Sequence, residues 1–144
     1  MRGVALALVA VLMSGCVSSS RSDRDYELKA GNTAKAVASS VAAAILGAEA
    51  ARQHKATNNY LSVLLGYAEK DVLSVQSTFD SIQPPDVAAD RLRSTVDDLL
   101  SSATTGLQEM RIVCRRGELA KLPALADRLR STLTELRFLA DHFQ

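Results

Sequence analysis

The sequence predicts an all-α protein, an antiparallel up-and-down four-helix bundle. Apolar and small residues recur three and four positions apart through four successive stretches of comparable length, the spacing that builds one buried face on a helix. The stretches are divided by short polar or Pro/Gly breaks, and short connections make consecutive helices antiparallel neighbours. Glycine, proline and β-branched patterning supply no strand pair.

The first helix is expected from about Asp25 to Arg52, with Tyr26, Ala30, Ala34, Val37, Val41, Ala44, Ala48 and Ala51 on its inner face. That face is mostly alanine, which favours helix and lets a neighbour approach closely; Gly31 and Gly47 are expected to weaken it locally. Residues 53–59 interrupt the pattern, and Thr57, Asn58 and Asn59 are good N-caps for the second helix. If that interruption is bridged, the first two helices merge instead. The second stripe is Leu61, Leu65, Ala68, Val72, Val75, Phe79 and Ile82, closed by Gln83-Pro84-Pro85-Asp86 because proline disfavours helix in the residue before it. The third helix carries Asp86 and Asp90 at its start and Arg111, Arg115 and Arg116 at its end, the order its dipole prefers. Leu92, Val96, Leu99, Ala103, Leu107, Met110 and Cys114 form its stripe, and Gly117 is placed to stop it in a left-handed conformation. The fourth helix follows with Pro123 near its first turn. Leu119, Leu122, Ala126, Leu129, Leu133, Leu136, Ala140 and Phe143 repeat along it like a coiled-coil seam.

Ahead of this domain, Met1-Arg2, an apolar run from Val4 to Met13, and Ser14-Gly15-Cys16 have the layout of a secretory signal. Ten apolar residues make about 15 Å of helix, half of a hydrocarbon core of about 30 Å, so the run is too short to span a bilayer. The segment Leu12-Met13-Ser14-Gly15-Cys16 resembles the lipobox of bacterial lipoproteins. That resemblance implies cleavage after Gly15, diacylglycerol on the Cys16 sulfur and often acylation of the new N terminus; a second acyl chain makes such an anchor lasting. The expected organisation is a signal at 1–15, a lipidated Cys16 with a flexible tether through residue 24 that reaches up to about 28 Å, and a helical domain at 25–144.

Losing the signal removes Arg2 from the 17 Lys and Arg, leaving them equal to the 16 Asp and Glu. Interleaved charges of both signs with no net excess argue against nucleic acid, which demands concentrated Lys and Arg. Arg111, Arg115, Arg116, Lys121, Arg128, Arg130 and Arg137 nevertheless gather around the third-to-fourth helix junction and the last helix. They are expected to pair with Glu109, Glu118, Asp127 and Glu135 on solvated faces; a patch for anionic headgroups or an acidic partner is the sharper alternative.

Catalytic, cofactor-binding and metal-binding residues are not expected. Di-iron bundles need Glu-x-x-His pairs, which are absent. His54 and His142 lack zinc spacing, and Ser39-Ser40, Ser101-Ser102 and Thr104-Thr105 lie in helical patterns with no His and Asp positioned to activate them. Met110 and Cys114 place two soft ligands one turn apart, too few for a copper site and better explained as core. With Cys16 lipidated, Cys114 has no disulfide partner. Carboxylates from different helices, such as Glu49 and Asp97, could still converge. The sequence thus points to a non-enzymatic binding or scaffolding protein, held to the cell membrane on its extracytoplasmic side and engaging an envelope protein. A small-ligand carrier, or an accessory subunit of an envelope enzyme or transporter, is the alternative, and an open apolar pocket between helices would favour it.

Overall fold

A computed structural model describes residues 18–20 and 22–144. Four helices dominate it: α1 (Asp23–Arg52), α2 (Asn58–Asp80), α3 (Val87–Arg115) and α4 (Leu122–His142), with a single 3-10 turn at Leu119–Lys121 before α4. The protein is all-α.

The helix starts follow from local chemistry. The Ser22 hydroxyl accepts from the Asp25 backbone N–H, Thr57 from Tyr60, and Asp86 from Ala89 at 2.8 Å, each satisfying a donor that the first turn leaves without a helical partner. Pro123 sits in the first turn of α4, where no backbone N–H is needed. Two helix ends share one device. The N–H of Lys55 bonds Ala50 O while that of His54 bonds Ala51 O, and the N–H of Glu118 bonds Val113 O while that of Gly117 bonds Cys114 O. These are paired 6→1 and 5→2 bonds around a left-handed residue. Gly117 (φ 73°) takes that role after α3 as its sequence predicts, whereas His54 (φ 57°) takes it after α1. The break keeps α1 and α2 separate.

The core holds most of the stripe residues read from the sequence, together with Ala38, Ile45, Ala89, Leu100, Leu125 and Leu139, which those stripes left out. Tyr26, Val37, Val41, Leu61, Leu65, Val72, Phe79, Val96, Leu107, Met110, Cys114, Leu122 and Leu136 are buried, and Ala51, Val75, Leu92, Leu119 and Phe143 pack against them partly exposed. The helix α1 is long and apolar enough to span a membrane by length and composition; here it packs against α2, α3 and α4. Its glycines serve that packing. A Cβ at Gly31 would stand 2.8 Å from the Phe143 carbonyl oxygen, and one at Gly47 2.6 Å from a Leu64 methyl. Expected to be weak points, they are places where Phe143, just past α4, and Leu64 of α2 pack tightly on α1.

Three expectations are corrected. Ser18–Ser19 (β1) pairs in parallel with Ile82–Gln83 (β2), so a strand pair does exist. Two residues are too few to create a period, and the partners lie two helices apart, beyond the reach of local patterning. For the same reason the segment expected to be a free tether up to residue 24 is held to the bundle. Ser20 is buried, its hydroxyl accepts from Lys29 Nζ at 3.4 Å, and α1 already begins at Asp23. Ile82, expected on the second helix, lies beyond its end in β2.

Candidate functional site

Cys16, the expected lipidation site, lies outside the described residues. Met110 and Cys114 are both fully buried on the α3 stripe. The Cys114 thiol donates to Asn58 Oδ1 at 2.8 Å and lies 3.4 Å from Ser62 Oγ, which ties the end of α3 to the start of α2. Among the described residues, no group of three or more His, Cys, Asp or Glu is arranged to hold a metal ion. His142 stacks on Phe138 and meets Phe143 edge-on. The hydroxyls of Ser39 and Ser102 bond carbonyls one turn back, Lys35 O and Asp98 O. Glu49 and Asp97 are not brought together. Glu49 is held by Arg52 and Gln53 where α1 ends, while Asp97 faces Arg93 and Asp80 beside the start of α3.

The polar groups instead sort to the two ends of the molecule. At the strap end, Arg93 donates to the carbonyls of Ile82 (3.0 Å) and Asp80 (2.8 Å), so one guanidinium fixes the segment that β1 pairs with. Asp97, one turn along α3, lies 3.7 Å from Arg93 Nε. Its Oδ1 is buried without a hydrogen-bond partner, as is the Tyr26 hydroxyl. Burial, reinforced by Asp80, pushes the Asp97 carboxyl above its ordinary pKa, with Arg93 opposing. Burial likewise raises Tyr26, which packs on Phe79 with ring centroids 5.7 Å apart. The sequence names Asp97 only as a carboxylate that could meet Glu49, and gives Arg93 no role. Their signal was an i, i+4 opposite-charge pair beside the stripe residues Leu92 and Val96.

The other end gathers the turns that follow α1 and α3, joined through Cys114 and Asn58. Here Arg52 pairs with Glu49, Arg128 with Glu109, Lys121 with Glu118 and Arg130 with Asp127. The Arg52 guanidinium holds the Glu49 carboxyl down to about 2. Further along the α2–α3 seam, Arg111 forks onto Glu69, a partner the sequence reading did not name. Lys55, Arg115 and Arg116 have no ion pair among the described residues.

The hollows described between helices open onto the surface. One of about 300 Å³ between α3 and α4 is lined by hydroxyls such as Ser102 and Thr132, by Leu125 and Leu129, and by the Arg128–Glu109 pair. Another of about 320 Å³ lies between α1 and α4 beside Lys35, Arg137 and Asp141. Neither a family model, nor a curated protein, nor a solved structure matches this chain.

Proposed function

We propose that this protein is a lipid-anchored, extracytoplasmic binding or scaffolding module of the bacterial envelope, attached through Cys16, and that it is not an enzyme. The observation that carries this reading is the strap: the chain two residues after Cys16 is paired into the end of a well-filled helical core. A domain of that kind is carried by its anchor as a rigid body. The absence of a catalytic motif in the sequence, together with polar groups that serve as caps, backbone ties and ion pairs, supports a binding role. The openness of the hollows favours a protein partner over a small apolar ligand, which needs a largely enclosed apolar pocket.

The same reading takes the bundle as antiparallel and up-and-down. It is supported by Tyr26 of early α1 against Phe79 of late α2, Asn58 of early α2 against Cys114 of late α3, Gly106 of α3 against Leu129 of α4, and Gly31 against Phe143 just past α4.

The anchor is tested with Cys16→Ser. The substituted protein should leave the membrane fraction or accumulate as an unprocessed precursor of higher mass. A mature, membrane-bound product indistinguishable from the parent would sink the reading.

A further inference from the structure

We propose that the end of the bundle opposite the strap is a docking surface for an acidic protein, centred on Arg115, Arg116 and Lys55 with Ile112 beside them. At that end the carboxylates of Glu49, Glu109, Glu118 and Asp127 are each engaged by a neighbouring cation. The three cations left over are exposed, and Arg115 and Arg116 line one hollow with Ile112. Arg115 and Arg116 follow Cys114, whose thiol touches Asn58, and Lys55 lies three residues before Asn58. Of the basic cluster of the sequence, Arg115 and Arg116 thus remain at this end without an ion pair among the described residues, Arg116 acting only at longer range on Glu118, which Lys121 already engages.

Two observations select the occupant. The strap fixes residues 18–20 at the far end of α1, whose 30 residues span about 45 Å. Cys16 precedes Ser18 by two positions, a reach of about 7 Å. The surplus cations therefore stand about 45 Å along the helix axis from the end that would carry the anchor, and with the bundle upright on that anchor they lie far outside the Debye length, about 8 Å at physiological salt, so the anchoring surface does not neutralise them. Ile112, 41% exposed, adjoins the same hollow as Arg115 and Arg116. Arginine around an exposed apolar side chain is the composition of a protein interface, whereas a phosphate polymer would use the charges alone. The orientation part of this inference rests on the anchor proposed above; the charge surplus does not.

Full-length protein in detergent micelles is titrated with a synthetic amphipathic Leu/Glu helical peptide and with inorganic polyphosphate of equal charge, and the unacylated Cys16→Ser protein, free of detergent, with phosphatidylglycerol vesicles, so that vesicle binding reports the cations and not the acyl chains. The peptide should bind at least about tenfold more tightly than the other two. Arg115→Glu with Arg116→Glu should weaken it by about tenfold or more, Arg115→Gln with Arg116→Gln by less, and Ile112→Ser should remove the preference over polyphosphate. Arg24→Glu with Arg91→Glu, the same charge change near the strap, should alter binding by less than about twofold. Equal effects of the two charge reversals, or polyphosphate or vesicles binding as well as the peptide, would overturn the proposal. Cys16→Ser in the same titration should keep its affinity while losing the membrane fraction, so the docking surface and the anchor fail separately.

Discussion

His54 holds a left-handed backbone that costs an L-residue roughly 1–2 kcal/mol and glycine almost nothing. Its main-chain bonds end α1, and among the described residues its exposed side chain takes part in no hydrogen bond or ion pair. His54→Gly is therefore expected to stabilise the protein by about 1 kcal/mol in chemical denaturation; a loss of stability would mean that the imidazole has a role. Cys114 shows the opposite kind of constraint, a thiol with no exposure and two polar neighbours. It should react slowly with thiol reagents until the protein is denatured, and Cys114→Ala should cost about 1 kcal/mol without impairing binding. Asp97 makes a pH prediction. Burial raises its folded pKa above the unfolded value, so the native state takes up the proton first. Stability contributed by this group rises as pH falls through the raised folded pKa and declines as pH climbs back. Asp97→Asn should erase that portion of the pH dependence, and an unchanged acid-side slope in the variant would show that Asp97 does not titrate there.

Helices with the same apolar period do not use their glycines alike. At Gly31 an added methyl meets backbone carbonyl oxygen, which cannot swing away, whereas Gly66 in α2 has nothing within 4 Å of such a methyl. Gly31→Ala should cost about 1–3 kcal/mol through overpacking, and Gly66→Ala should gain up to about 1 kcal/mol from helix propensity, both read as shifts in thermal midpoint. Sequence alone marked Gly31 as a weak point of its helix and did not single out Gly66. Periodicity reveals which face of a helix is buried, so stripes such as Val96-Leu107-Cys114 and caps such as Thr57 and Gly117 were legible. It does not reveal which neighbour arrives or how near, and Gly31 against Phe143 depended on that. The β1–β2 pairing and the Arg93 tie were hidden for a related reason: they join segments distant in the chain through one or two residues, too few to leave a repeat. For the candidate site, the basic cluster was readable as composition. Which arginines are neutralised depends on partners across helices, as Glu69 for Arg111 and Glu109 for Arg128 show.

The molecule as a whole combines a helical core with a polar fastening at one end. Circular dichroism of residues 17–144 should report mostly helix, and Arg93→Ala should test the fastening apart from the core. Losing the bonds to Ile82 and Asp80 is expected to speed hydrogen exchange at residues 18–20 and 82–83 while amides in the middle of α1 and α4 keep their protection. Exchange rising uniformly would show that strap and core are one cooperative unit.

The strap also orders events in time. Ser18–Ser19 cannot pair until Ile82–Gln83 exist beside them, and those residues follow two complete helices. A chain crossing a membrane from its N terminus would present Cys16 to modifying enzymes while more than half of the domain was still on the other side. Only after residue 83 emerged could the bundle draw the modified end against itself. Maturation would then precede closure, and a strap bound too early, by a segment engineered into the first helix, would compete with processing rather than with stability.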